Sequence, residues 1–191
     1  MINKKFWQTV LDKQKEYDNS RRKIISLSSE AQHLSKQSIF SLQRGKKKQA
    51  EEKIKKAKSG LITLEKRFGK FGKLRTEGSW KAATEEFVEA KLFMDFMSGK
   101  KITEIKEFYV LPEEYIGGLC DLTGEIVRML VIWTTKKEFT KVEKGAEAVD
   151  QIIQELMQYS YGGYLRTKFD QAKKSLQKAE QILYDLSMRQ K

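Results

Sequence analysis

Acidic residues at helical spacing are the first feature of this chain with chemical content. Asp121 and Glu125 stand four residues apart inside the most apolar run of the sequence, Tyr115 to Trp133. On a helix both carboxylates share one face. Ile116, Leu119, Leu122, Ile126, Leu130 and Trp133 cover much of the remaining circumference, so the helix that carries the acids is one that buries. A second group, Glu85, Glu86 and Glu89, lies in the run Thr76 to Met97; Glu86 and Glu89 share a face at i, i+3, and Glu85 neighbours Glu89 at i, i+4. Buried carboxylates require a cationic partner, a metal ion or a proton, because desolvating them alone is costly. If the two helices pack face to face, Glu86, Glu89, Asp121 and Glu125 form an all-oxygen cluster suited to Mg²⁺, or Mn²⁺ in its place. A metal held so lowers the pKa of water and offsets charge on phosphate, as phosphodiester hydrolysis requires. Ion pairing is the competing reading: Arg128, at i+3 from Glu125 and i+7 from Asp121, and Lys91 carry charges of the right sign, and Lys81 stands four residues before Glu85. Spacing alone leaves both open.

Other chemistries are poorly supplied. The di-iron carboxylate bundle also places acids on facing helices, but it uses Glu-x-x-His motifs, and His33 is the only histidine. The same shortage leaves a Ser or Cys nucleophile without a base.

The elements that must position these acids read as helices throughout. One Pro in 191 residues argues against sheet-rich or loop-rich folds. From Lys5 to Arg44 apolar residues recur at helical intervals without Pro or Gly, which predicts one helix of about forty residues ended by Gly45. Such length exceeds what a compact unit needs, so the helix packs along several others or reaches a neighbouring chain. Lys46 to Leu74 reads as a second helix with a dense lysine face, fraying into the basic loop Arg67 to Arg75. There Phe71 beside Lys70, Lys73 and Arg75 mixes an aromatic with cations, the combination that stacks bases and holds phosphates. Thr76 to Met97 is a third helix with Ser79 as its expected cap. Ile102 to Phe108 forms a short helical piece, and Pro112 with Glu113 and Glu114 opens the Tyr115 to Trp133 helix. Lys136 to Tyr159 and Tyr164 to about Arg189 complete an all-α chain of about seven helices, read as one unit over residues 1–191. Gly117, Gly118 and Gly124, costly in a helix, make room for a partner helix.

Composition bounds the partners. With 38 Lys and Arg against 26 Asp and Glu the net charge is +12, which suits a polyanion or a plainly solvated basic surface. The lone Cys120 excludes a disulfide within the chain and fits a reducing compartment. No hydrophobic leader opens the sequence, and Asp121, Glu125 and Arg128 argue against membrane insertion of 115–133, so a cytoplasmic location is expected.

Four stretches, SKQSIFSLQR at 35–44, EEFVEAKLF at 85–93, EYIGGLCDLTGEIVR at 114–128 and LRTKFDQAKKSLQKAEQILYDLSMR at 165–189, together resemble the translin and translin-associated factor X (Trax) proteins. The resemblance implies an antiparallel all-α subunit that assembles into a hollow, roughly octameric shell with RNA inside. It also implies a branch. Glu86, Glu89, Asp121 and Glu125 match the acids of Trax-type chains, which are Mg²⁺-dependent endoribonucleases, whereas translin-type chains bind RNA or single-stranded DNA without that cluster. Glu86, Glu89 and Asp121 are then the expected metal ligands, with Glu125 as a further ligand or base. In the translin branch a basic stretch with histidines contacts RNA; Arg75 matches its arginine, but Glu77 and Ser79 stand where histidines would be. The expected partners are RNA, single-stranded or as a small duplex, further copies of this chain, and a translin-type subunit if the enzyme is mixed. The alternative is a non-catalytic nucleic-acid-binding oligomer.

Overall fold

The computed structural model describes residues 1–189, so the last two residues of the expected 1–191 unit lie outside it. Its elements are α1 (Lys4–Gln43), α2 (Lys47–Phe68), a 3-10 turn (Lys73–Thr76), α3 (Gly78–Met97), α4 (Pro112–Thr135), α5 (Phe139–Leu156) and α6 (Gly163–Arg189). Among the described residues there is no strand, and no helix is long and apolar enough to cross a membrane.

Among the described residues six helices stand where about seven were expected, because residues 102–108 form irregular backbone with a bend rather than a helix. Phe108 anchors that segment: its ring meets Phe87 edge-on at a centroid distance of 5.1 Å. A tertiary anchor thus prevails over a weak local preference. Other departures are local. The second helix stops at Phe68 because Gly69 turns with φ 77°, a left-handed conformation that ends the periodic run six residues early. Ser79 does not cap α3; the helix begins at Gly78 after Glu77, and the buried Ser79 hydroxyl has no partner. Gly45 does end the first helix, with φ 71° and its N–H donated to Leu42 O at 2.9 Å.

Helices α3 and α4 form the central pair. Helix α1 covers α3 together with α2, while α5 and α6 cover α4 from the other side. Buried apolar side chains run through all layers, with Trp80, Phe87 and Phe93 from α3 and Leu122, Ile126 and Leu130 from α4 fully enclosed. Small residues set the spacing of the pair. A Cβ on Gly118 would lie 2.8 Å from both Glu85 O and Val88 Cγ1, and one on Gly117 would lie 2.6 Å from Glu85 Cδ. Gly124 plays no such part, since its nearest neighbour is Ser175 Oγ at 4.0 Å.

An internal ion pair locks the start of α4. The Arg75 guanidinium donates to both Glu114 oxygens, at 2.7 and 2.6 Å, and lies 5.0 Å from the Trp80 ring. Glu114 Oε2 also accepts the Leu111 N–H at 2.9 Å, which caps the helix. The first twenty or so residues of α1, by contrast, pack on little within the chain: burial begins at Ile24, and Phe6, Trp7, Val10 and Leu11 are exposed.

The glycine contacts make a paired prediction. Gly118→Ala lowers stability by about 1–2 kcal/mol, because overpacking against the Glu85 backbone outweighs the gain in helix propensity. Gly124→Ala, free of any clash, raises it by up to about 1 kcal/mol. Urea denaturation of the two variants beside wild type reads both, and equal shifts would discount the close approach.

Candidate carboxylate site

The α3–α4 pair brings the predicted acids together. Glu86 and Glu89 from α3 and Glu125 from α4 line one open cleft of about 320 Å³, whose remaining walls are Lys36, Ile39, Phe40 and Gln43 of α1 and Arg128 of α4. Asp121 lies one turn before Glu125, close enough that its charge acts on Glu86, Glu89 and Glu125. A larger groove of about 690 Å³ between α1 and α2 contains none of these acids.

Each acid is balanced differently. Glu86 faces Lys36 at 3.5 Å, and burial still lifts its pKa above the usual value. Glu125 accepts from the Gln43 side-chain amide and stands 3.9 Å from Arg128 Nε; burial raises it too, against the pull of Arg128 and Gln43. Asp121 pairs with Lys168 of α6, which also holds Glu85 at 2.9 Å. Burial pulls the Lys168 ammonium down, but its bonds to Asp121 and Glu85 outweigh that and keep it firmly charged. Tyr164 donates to Glu85 at 2.6 Å, so Glu85 belongs to the Lys168 side of the cluster rather than to the cleft. Glu89 is left without a cation of its own. Burial, then the charges of Glu86, Asp121 and Glu125, push its carboxyl up to about 9. At neutral pH it holds a proton.

The ion-pairing reading is therefore met in part: Arg128 stands beside Glu125 as its spacing suggested, while the cations on Glu86 and Asp121 are ones the spacing did not point to. Lys91 binds Asp95 at i+4, and Lys81 binds Glu113, so neither serves the cluster. Lys168, Tyr164, Lys36 and Gln43 were not singled out from the sequence. Lys36, Gln43 and Lys168 had no signal beyond membership in the stretches 35–44 and 165–189, where one lysine among many carries no distinguishing pattern, and Tyr164 lies just outside them.

The predicted basic contact loop is placed apart from the cleft. Arg75 is corrected outright: its guanidinium, 4 % exposed, is committed to Glu114 inside the fold and is not presented to a ligand. Lys70 and Lys73 are on the surface, over Phe71 at 5.1 Å and Tyr17 at 5.3 Å respectively, and neither lines the cleft.

Comparison with known proteins matches the chain to a family. The translin family model matches residues 19–190. The chain belongs to the translin family. AfC3PO, solved alone and in complex with duplex RNA, superposes with a TM-score of 0.87 at 22 % identity, covering 96 % of this chain and 97 % of that one. The apo form of NeC3PO gives 0.83 at 19 % identity over 93 % and 95 % of the two chains. At such identities the likeness is one of fold. No curated protein sequence matches the chain.

A carboxyl raised in the folded state binds a proton that the unfolded chain has released, so stability falls as pH rises from the unfolded value near 4.5 towards about 9. In EDTA, wild type loses roughly 2–4 kcal/mol relative to Glu89→Gln between pH 5 and pH 8, at about 1.4 kcal/mol per unit. Parallel pH profiles in urea titrations would contradict the placement of that proton. Lys168→Met strands Asp121 and Glu85 and costs about 2 kcal/mol at pH 7, whereas Lys91→Met, away from the cluster, costs less than half as much in the same assay.

Proposed function

We propose that this chain is a metal-dependent endoribonuclease of the Trax-like branch, working as a homo-oligomeric shell with RNA bound inside. One observation carries the reading: Glu89 lines an open cleft with Glu86 and Glu125, within reach of the charge of Asp121, and it is neutralised by a proton rather than paired with a cation of the fold. A donor set made only of carboxylates suits Mg²⁺ or Mn²⁺. Among the described residues no three such side chains are gathered closely enough to enclose an ion as they stand. Uptake at Glu86, Glu89 and Asp121 would displace the Glu89 proton and loosen the contacts of Lys36 and Lys168. The donors fit the ion in kind, and release of the Glu89 proton would free that carboxylate as a donor.

Such a cation supplies Lewis acidity towards a phosphodiester and the water that attacks it. The chain's own residues do the remainder. Glu125, turned by Gln43 and steadied by Arg128, would be the carboxylate to take a proton from a water at such a cation. Lys36 and Arg128, whose side chains are largely exposed at the edges of the cleft, offer positive charge to the strand. Lys168 keeps the Asp121 side chain fixed beside them. No protein nucleophile is needed. That AfC3PO is known in complex with duplex RNA supports an RNA ligand, and the exposed first half of α1 supports contact with further copies or a translin-type partner.

A second reading has its own observation: Lys36 and Lys168 already neutralise Glu86 and Asp121, as a non-catalytic RNA-binding oligomer would require. Labelled single-stranded RNA incubated with and without Mg²⁺, beside Glu89→Gln and Asp121→Asn, separates the two. Cleavage that needs Mg²⁺ and falls at least a hundredfold in both variants is the expected result. Binding without cleavage by any form supports the second reading and sinks the first.

A further inference from the structure

The rim of the cleft contains an arrangement that balancing the acids does not require. Lys36 and Phe40 share one face of α1 at i, i+4, about 6 Å apart along the axis, and Arg44 is the residue that caps the end of that helix. Phe40 is 47 % exposed and lines the cleft beside Glu86, Glu89 and Glu125. The Arg44 guanidinium carbon sits 3.8 Å from the centroid of its ring. Across the opening Arg128 contacts Gln43 at 3.5 Å and keeps most of its side chain in solvent. An aromatic ring is thus presented at the mouth of an acidic cleft with cations before it, behind it and opposite.

We propose that Phe40, layered with Arg44, is a stacking platform for one unpaired base of the RNA strand, with Lys36, Arg44 and Arg128 on the phosphates that flank it. The inference rests on the reading of the chain as an RNA-cleaving protein and adds to it the residue that seats an unpaired base beside the cleft. Base stacking on an aromatic face tolerates any base and contributes roughly five- to a hundredfold in affinity. A paired strand has its bases stacked on each other and offers the platform none. The carboxylates repel phosphates, so a base seated at Phe40 holds the strand near them where phosphate contacts alone would not.

The test measures binding of the full chain in EDTA to a short single-stranded oligoribonucleotide with 2-aminopurine at successive positions, whose fluorescence is quenched by stacking. Wild type, Phe40→Leu and Phe40→Trp are compared, each sized by light scattering. The expected result is quenching at a defined position in wild type, its loss in Phe40→Leu with about tenfold weaker binding, and recovery of both in Phe40→Trp. Annealing a complementary strand removes the difference between Phe40→Leu and wild type. Equal affinity and quenching in Phe40→Leu and wild type overturns the platform, as does a change of oligomeric state in Phe40→Leu, which would make Phe40 an interface residue. Cleavage assays on the same proteins keep the two readings apart. A Phe40-dependent stack without Mg²⁺-dependent cleavage removes the nuclease and leaves the platform, and cleavage by a chain that binds without the stack does the reverse.

Discussion

The contact between α3 and α4 at Gly117 and Gly118 is the constraint on which the remaining structure depends. Without side chains at those positions the Glu85 backbone settles onto α4, and Glu86 and Glu89 come within electrostatic reach of Asp121 and Glu125. Close helix packing and clustered negative charge are therefore one event. Apolar burial of Phe87, Phe93, Leu122 and Ile126 around the same contact supplies the drive that charge repulsion opposes.

The answer to that repulsion comes from outside the pair. Lys36 reaches in from α1 and Lys168 from α6, so each flanking layer lends one cation to the centre. The acids thereby stitch the two sides of the bundle together, although each ion pair is modest on its own. What the flanking layers do not neutralise is Glu89, the deepest acid of the cleft, and the fold meets that residue with a proton. A site left one charge short of balance is one that can exchange its proton for another positive species.

Much of this was legible in the sequence, and the misses have a common cause. The acids declared themselves because i, i+3 and i, i+4 spacing inside apolar runs is a local signal, and so were the long helices and the Gly45 stop. Lys168 was hidden because its partners lie 83 and 47 residues away in sequence, at Glu85 and Asp121, and because lysine is common throughout the chain. Arg75 was misread for the same reason: a cation in a basic loop looks solvated until Glu114, on another helix, is brought to it. Residues 102–108 carry enough apolar character for a turn of helix, but Phe108 packs on Phe87 and Tyr115 donates to the Thr103 carbonyl, contacts made from outside the segment. Periodicity reports the face of a helix but not what is brought against it.

The first half of α1 has a different kind of consequence. Roughly twenty residues of helix span about 30 Å with few tertiary contacts, and a helix of that length is only marginal in water. Its order in the isolated chain is borrowed from the packed half that begins at Ile24, so protection of its amides decays towards Lys4. A neighbour laid against Phe6, Trp7, Val10 and Leu11 would supply the missing packing, and the firmness of this segment then becomes a gauge of how crowded the chain is with its own kind.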